Sequence, residues 1–448
     1  MLARKEIRQM KMINKKIVYR IELKFVTPIN VSSGYEGTTD SDVMTDFEGK
    51  PFIPGSSLAG AFRAYAETKN KSDADSLFGY TKMVDGNDGG KMSSLFISDL
   101  TFEGEPKRII RDSVALDDNK ISQDGAKFDF EALEGETTKG YFYMEVTIRD
   151  ANKEQAFTKM IDDIFRGINS HEIRLGSKKT RGYGIVKIED LKKKVFEGEG
   201  YLDYAGCYDE DKWTDKDKYT VPDVKDSEGN YVHIEVPLKL TGGISIRQYA
   251  VKKNSPDFEH ITDHGKAVIP GTSFMGAIRH RIKEILKTLS KDAQNINIDK
   301  MLDLMFGYVN GQEAHISNVV IDEAVIEGAK PLTITRTGVS RFESSAKNGA
   351  LYQEKTYVGG NLTLNISVKK DTNNEDWMVG ILLLAIKDLQ NGFLAVGGQT
   401  SVGRGIFEAD KDDDKTMKIN GISISDEDIN TYIAKSLTKY QEVYDHAR

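Results

Sequence analysis

Two polar loops of this 448-residue chain carry acidic side chains at matching positions, a pattern that can bind a metal ion. Asp40 precedes the Pro-Gly pair that ends at Gly55. Asp257 takes the same place before the pair that ends at Gly271 when the two loops are aligned with a one-residue gap. A carboxylate in such a loop can bind Mg²⁺ through one or two oxygens while phosphate completes the coordination. We therefore predict Asp40 and Asp257 as metal ligands, with ordinary solvated loop acids as the alternative.

The Pro-Gly pairs open two nearly identical segments, IPGSSLAGAFR at 53–63 and IPGTSFMGAIR at 269–279. A helix that starts at such a turn presents free N–H groups that attract phosphate, and an ordinary helix with a Ser or Thr cap is the alternative. Glycine inside a helix costs about 1 kcal/mol relative to alanine, so Gly60 and Gly276 predict close packing or ligand approach. The candidate phosphate-binding residues are Gly55, Ser56, Ser57, Arg63, Gly271, Thr272, Ser273 and Arg279.

Two glycine-rich loops, residues 176–184 and 397–405, combine flexible main chain with cations. Main-chain N–H groups beside fixed cations suit a phosphate backbone, and a turn before an edge strand is the alternative. Each copy also has an arginine-valine motif before a polar stretch that can reach over a bound strand or remain a solvated loop. The cations of these motifs are Lys178, Lys179, Arg181 and Arg404 in the glycine loops, and Arg111 and Arg336 in the arginine-valine motifs.

All these motifs occur twice in the same order, which indicates two homologous domains on one chain. Their offset changes little from the Pro-Gly pair to the end of the glycine loop (271 − 55 = 216 and 405 − 184 = 221). We predict a first domain over 1–194, an exposed linker or insertion over 195–230, a second domain over 231–410, and an acidic segment with a C-terminal helix over 411–448.

Hydrophobic periodicity predicts the elements that position these residues. Alternating apolar residues indicate strands over 17–26 and 232–240, and a helix follows each Pro-Gly pair. Further strands, a second helix and a last strand complete each copy, which is the split β-α-β order of a ferredoxin-like domain. The predicted fold class is α+β, with two tandem modified ferredoxin-like domains, each an antiparallel sheet with helices on one face.

The composition limits the possible function classes. One cysteine excludes an intramolecular disulfide, and the polar first residues lack the apolar stretch of a signal peptide, so we expect a cytoplasmic protein. The longest apolar run is too short to cross a membrane. A net charge of −8 argues against nucleic-acid binding, but the cations are concentrated in the repeated motifs.

Residues 53–63, 111–117, 125–131 and 176–184 resemble the RAMP superfamily of CRISPR-associated proteins, and more narrowly the backbone subunits of type III effector complexes. The two fused copies are similar to the tandem backbone proteins of type III-D systems. The resemblance implies an RRM-like palm with a β-hairpin thumb near residues 112–140 and 337–358.

The resemblance also implies partners and a reaction. Such subunits line up along a guide RNA (crRNA) with other effector subunits, and the thumb displaces one base of a single-stranded target RNA at intervals. A loop aspartate, matched here by Asp40 and Asp257, is needed for target cleavage that depends on a divalent metal, Mg²⁺ or Mn²⁺. The cationic and phosphate-binding candidates named above would then contact RNA, and no membrane is involved.

Several interpretations stay open at this point. The chain is an RNA-guided endoribonuclease with one or two active sites, a non-catalytic guide-RNA-binding scaffold, or an endoribonuclease that processes guide precursors. The last class often uses a histidine as acid and base, yet no histidine recurs between the copies. His260 and His264 have metal-ligand spacing in the second copy alone, and we predict them to be surface residues. A tandem ferredoxin-like protein that binds no nucleic acid is a further alternative.

Overall fold

The structure is a computed structural model that describes residues 13–34, 37–84, 87–117, 121–223, 229–249, 255–289, 298–311, 313–370, 375–410 and 415–446. The chain divides into two compact units. The first consists of Met1–Ile110, Asp129–Lys179 and Tyr183–Gly229, and the second of Arg111–Phe128, Thr180–Gly182 and Asn230–Arg448.

The first repeat follows the strand, helix, strands, helix, strand order. Its elements are β1 (Lys15–Phe25), β2 (Phe52–Ile53), α1 (Gly55–Lys69), α2 (Lys71–Phe78), β3 (Tyr80–Val84), β4 (Asn87–Lys91), β5 (Leu95–Ile97), β6 (Leu100–Phe102), β7 (Arg108–Leu116), β8 (Ser122–Leu133), β9 (Lys139–Ile148), α3 (Glu154–Asn169) and β10 (Val186–Phe196). Strands β10, β1, β9, β6 and β2 lie side by side, and β1 is antiparallel to both β9 and β10. The first strand of the repeat is therefore central, between the last strand and β9.

One face of this sheet and the helices share a core. The alternating residues of β1 predicted to face inward are buried, with Tyr19 and Phe25 fully so. Phe62 of α1 and Phe165 of α3 pack into the same cluster. Burying a side chain of this size stabilises the fold by about 1.5–3 kcal/mol, which fixes the helices on the sheet.

The opposite face of the sheet is covered by residues 198–217, contrary to the prediction of an exposed linker. This covering segment forms short 3-10 helices at Gly198–Gly206, Glu210–Lys212 and Asp215–Asp217. Cys207 and Trp213 are buried against Tyr143 of β9, and the guanidinium of Arg20 is bonded to Glu210 at 2.9 Å. Nine of its twenty residues are charged, and its few buried side chains follow no helical or strand period.

The second repeat has the same order of elements. They are β11 (Tyr231–Thr241), β12 (Gly243–Ile244), β13 (Arg247–Tyr249), β14 (Phe258–His260), β15 (Thr262–Asp263), β16 (Lys266–Ile269), α4 (Gly271–Leu289), α5 (Ile298–Phe306), β17 (Tyr308–Asn310), β18 (Glu313–His315), β19 (Val319–Ile321), β20 (Ala324–Val325), β21 (Lys330–Arg336), β22 (Tyr352–Val358), β23 (Asn361–Lys369), α6 (Glu375–Gln390), β24 (Ile406–Ala409), β25 (Lys418–Ile419), β26 (Ile422–Ser423) and α7 (Asp426–His446). Its sheet again places the first strand centrally, with β11 between β23 on one side and β24 and β25 on the other.

Two hairpins lie where thumbs were predicted. In the first repeat β7 pairs with β8, and in the second β21 pairs with β22 from Lys330 opposite Val358 to Arg336 opposite Tyr352. Residues 118–120 of the first hairpin lie outside the described residues.

Helix α7 packs on α6 and completes the second unit. The N–H of Asp428 donates to the Ser425 hydroxyl, and the Asp428 carboxylate accepts from the N–H of Ser425, which caps the start of α7. The Ser436 hydroxyl donates to the Trp377 carbonyl at 2.7 Å. Residues 411–414 and 447–448 of the predicted acidic segment lie outside the described residues. Among the helices described, none is both long and apolar enough to cross a membrane.

Candidate functional site

Asp40 lies in a loop whose shape depends on Asp42. The Asp42 carboxylate accepts the Thr39 hydroxyl at 2.7 Å and the N–H groups of Thr38 and Thr39, each at 2.9 Å. The bond from the Thr39 hydroxyl, followed by those from the backbone, lowers the pKa of Asp42. Asp42 therefore shapes the loop, and the exposed Asp40 is the acid that this shape presents.

Asp40 exchanges hydrogen bonds with Asp129 of β8. The N–H of Asp40 donates to Oδ1 of Asp129 at 3.1 Å, and the N–H of Asp129 donates to Oδ2 of Asp40 at 2.9 Å. The loop is also bonded to β8 from the N–H of Glu131 to the carbonyl of Ser41, at 3.0 Å. Asp129 was not predicted as a site residue, because nothing in the sequence places segment 125–131 beside a loop that lies 89 residues before Asp129.

Asp257 occupies the corresponding place in the second unit. The N–H of Gln353 in β22 donates to Oδ2 of Asp257 at 2.8 Å, as that of Asp129 does to Asp40. Beyond this contact β14 and β22 run parallel, with Phe258 opposite Glu354. Both predicted aspartates thus meet the strand that returns from the hairpin, but the strand residue is an acid in the first repeat and an amide in the second.

The first site suits a hard divalent cation better than the second. Within the described residues, Oδ1 of Asp40 and Oδ2 of Asp129 accept no hydrogen bond, so two carboxylate oxygens are left for a cation. Mg²⁺ is commonly bound through one or two carboxylates, with water and phosphate completing its shell. The described part of the chain has no group of three or more acidic, histidine or cysteine side chains able to hold a metal. A cation here would therefore depend on ligands from water or a bound phosphate.

Helix α1 starts without the predicted serine cap. It begins at Gly55, with no side-chain cap bond, and the Gly55 N–H donates to Oδ1 of Asp99 at 2.7 Å. A Cβ at Gly55 would lie 2.4 Å from the Ile97 carbonyl oxygen, so glycine permits this close backbone packing. One N–H predicted to bind phosphate therefore already has an acceptor, while Ser56 and Ser57 are exposed.

Helix α4 also starts at a glycine that lies close to another backbone segment. A Cβ at Gly271 would lie 2.1 Å from the Ile321 carbonyl oxygen. Thr272 is exposed and Ser273 is half-buried, so these side chains, like the serines of α1, are accessible at the start of their helix.

Gly60 and Gly276 lie on the exposed faces of α1 and α4. Among the described residues, a Cβ built at either position would meet no atom within 4 Å. Close packing inside the protein is therefore excluded as the reason for these glycines. The other predicted reason, approach of a ligand to the helix backbone, is consistent with this open space.

Arg63 and Arg279 connect their helices to the next helix. Arg63 donates to Asp75 at 2.9 Å and to the Gly79 carbonyl at 2.8 Å, and Arg279 donates to Asp303 at 3.4 Å. Their side chains are about one third exposed, at 34% and 38%. Each arginine therefore stabilises the connection between its helix and the next one, and its side chain is only partly accessible to solvent.

The first glycine loop keeps exposed cations. Lys179 and Arg181 are exposed, whereas Nζ of Lys178 lies 4.1 Å from the centroid of the Phe130 ring. Arg336, on the second hairpin, is half-buried. Among the predicted cations, Lys179 and Arg181 are therefore the two that are exposed.

Arg111 and Arg404, predicted to contact RNA, are instead buried in the second unit. Arg111 is 2% exposed, and its Nη2 lies 3.6 Å from Oε1 of Glu323. Arg404 is 6% exposed and lies 3.7 Å from Glu354. Burial raises the pKa of Glu323 and lowers that of Arg404. Each arginine compensates a buried acid that is distant in sequence, and so neither is available to a ligand in this conformation.

His260 is also buried, contrary to the prediction of a surface residue. It is 1% exposed, its Nδ1 accepts the Ile246 N–H at 2.9 Å, and its Nε2 lies 3.1 Å from the Val268 carbonyl oxygen. Burial lowers the pKa of His260 to about 4. It is a neutral structural histidine.

A family model described as RAMP superfamily matches residues 22–187 and 251–408. Each matched region falls on one of the two repeats. Among curated proteins, none matches the chain.

Proposed function

Because the chain belongs to the RAMP superfamily, whose members generally form CRISPR ribonucleoprotein complexes, we propose that it is a tandem backbone subunit of a cytoplasmic type III effector, of the III-D kind. It binds a guide RNA and cleaves complementary target RNA. The central position of β1 and β11 in their sheets supports a modified ferredoxin-like fold for each repeat.

The recurrence of one contact carries the proposal. Asp40 and Asp257 each accept a backbone N–H from the strand that returns from the hairpin of their repeat. A hairpin that displaces a target base would bring the splayed nucleotide towards this strand and loop. The shared contact supports a common role for the two loop aspartates.

The chemistry proposed needs little from the protein besides placement. RNA carries its own nucleophile, the ribose 2′-hydroxyl, which a splayed nucleotide can place in line with the phosphorus. In the first repeat Asp40, with Asp129 beside it, would hold a divalent cation, and in the second repeat Asp257 would hold another. Each cation would neutralise charge on a scissile phosphate when bound. Guide–target pairing supplies specificity, while the chain contacts backbone and shape.

Exposed groups of the first repeat are the proposed contacts to the guide backbone. Lys179 and Arg181 supply charge, and Ser56 and Ser57 supply hydroxyl groups beside the open face at Gly60. Arg404 and Arg111 act on RNA only through the structure that they stabilise.

The test compares Asp40→Ala, Asp257→Ala and the exposed control Asp209→Ala in the assembled complex with guide and labelled target RNA. We expect the native complex to cleave the target at two positions, with one cleavage lost in each loop variant and both lost with EDTA. Unchanged products in both variants would reject the endoribonuclease proposal. Guide binding without any cleavage would favour the scaffold function.

A further inference from the structure

We propose that Asp129 is a positioning residue for Asp40, and that Gln353 at the matching place makes the second cleavage site the weaker one. The inference rests on the cleavage activity proposed above. It concerns how firmly each repeat holds its loop aspartate.

The reciprocal bonds between Asp40 and Asp129 fix Asp40 at two points. The bond to Oδ2 restrains the side chain, and the bond from the N–H of Asp40 to Oδ1 of Asp129 restrains the backbone. An exposed side chain otherwise distributes over several rotamers. Bonds that involve an ionised carboxylate are roughly twice as strong as neutral ones, so the pair narrows the position of the free Oδ1 of Asp40.

The second repeat keeps half of this arrangement. Gln353 donates its backbone N–H to Asp257. Within the described residues, the Asp257 N–H makes no bond to the Gln353 side chain, so the second of the two bonds seen in the first repeat has no counterpart here.

Charge strengthens the same contrast. The strand residue that bonds to Asp40 is itself an acid, whereas the strand residue that bonds to Asp257 has a neutral side chain. Neighbouring carboxylates raise the local concentration of cations, whereas an amide does not. The restrained position of Asp40 and the extra negative charge of Asp129 therefore both favour faster cleavage at the first site than at the second.

The experiment uses the full chain in its guide complex, with both products measured on one target. We expect Asp129→Ala to slow cleavage at the first site by about 10- to 100-fold, the range for a reacting group misplaced by about 1 Å. Cleavage at the second site serves as the internal control for folding and guide binding. Asp129→Asn retains the Oδ1 acceptor but loses the charge, so it should restore the position of the loop and recover part of the rate. In the opposite direction, Gln353→Asp should raise the rate at the second site.

Hydrogen exchange of residues 37–46 in the metal-free protein supplies a readout that does not depend on activity. Faster exchange in Asp129→Ala, but not in Asp129→Asn, supports positioning. If Asp40→Ala abolishes first-site cleavage while Asp129→Ala changes neither rate nor exchange, the inference is wrong and the proposed function stands. If Asp129→Asn is as slow as Asp129→Ala, positioning through the acceptor is rejected. If neither Asp40→Ala nor Asp257→Ala affects cleavage, the proposed function fails, and the exchange data still decide whether Asp129 holds the loop.

Discussion

Oε2 of Glu354 lies 3.7 Å from Nη2 of Arg404, and both side chains are buried in the second unit. The matching positions of the first repeat hold Phe130 and Tyr183, whose rings meet edge to face with centroids 5.5 Å apart. One pair of positions thus carries an ion pair in one repeat and an aromatic pair in the other. Because of this ion pair, the one cation of the second glycine loop is buried, whereas Lys179 and Arg181 of the first loop are exposed.

Replacing Arg404 by alanine should destabilise the second unit without removing an RNA contact. Burial alone would raise the pKa of Glu354, but bonds from Ser245 and the guanidinium groups of Arg247 and Arg404 outweigh it and lower that pKa. Loss of one partner from a buried ion pair costs about 3–5 kcal/mol, and Ser245 and Arg247 should reduce the loss to about 2–3 kcal/mol. Urea denaturation measures this loss of unfolding free energy.

The double variant Arg404→Met/Glu354→Leu should recover stability. An equal loss in the single and the double variant would contradict the explanation.

Lys179→Ala and Arg181→Ala should weaken guide-RNA binding in a salt-dependent way. Each phosphate contact on a single strand contributes about 0.7 to the slope of log K against log salt, so the double variant should flatten that slope by about 1.4. Anisotropy titrations of labelled guide RNA at several salt concentrations measure the slope. Lys216→Ala, which removes an exposed cation outside the glycine loops, is the control and should leave the slope unchanged. A slope unaffected by the double variant would exclude the first glycine loop from the RNA interface.

Gly60→Ala and Gly276→Ala should raise stability and lower RNA affinity. The new methyl group meets open space, so each change should stabilise its helix by about 1 kcal/mol. The same methyl would obstruct an RNA backbone that approaches the helix. Denaturation and guide-binding titrations on the same samples give both effects. A gain in stability with unchanged affinity would show that no ligand approaches these glycines.

The second unit should lose stability as the pH falls from about 6.5 towards 4. His260 has a pKa of about 4 in the folded state, against an ordinary value of about 6.5, so only the unfolded chain binds a proton in this window. The free energy of unfolding should fall by about 3 kcal/mol by pH 4, and protonation of His260 should change it little at lower pH. Denaturation curves across the window, compared with those of His260→Gln, isolate the contribution. An identical pH dependence in the variant would contradict it.

Local patterns predicted the elements well and their long-range partners poorly. The alternation in β1 and β11 and the repeated Pro-Gly pairs were sufficient to locate strands and helices. The serine cap of α1 was wrong because the helix already begins at Gly55, whose N–H is bonded to Asp99, a contact that only the folded chain creates. Arg111 and Arg404 were placed at an RNA surface because sequence shows a charge but not the acid that neutralises it.

The covering segment also gives the chain a built-in reporter. The sequence has two tryptophans, Trp213 in the covering segment and Trp377 in α6, and each is buried in a different unit. Intrinsic fluorescence can therefore follow the unfolding of each half separately, once the other tryptophan is replaced by phenylalanine. Such single-tryptophan proteins would show whether the duplicated halves melt as one cooperative transition or as two.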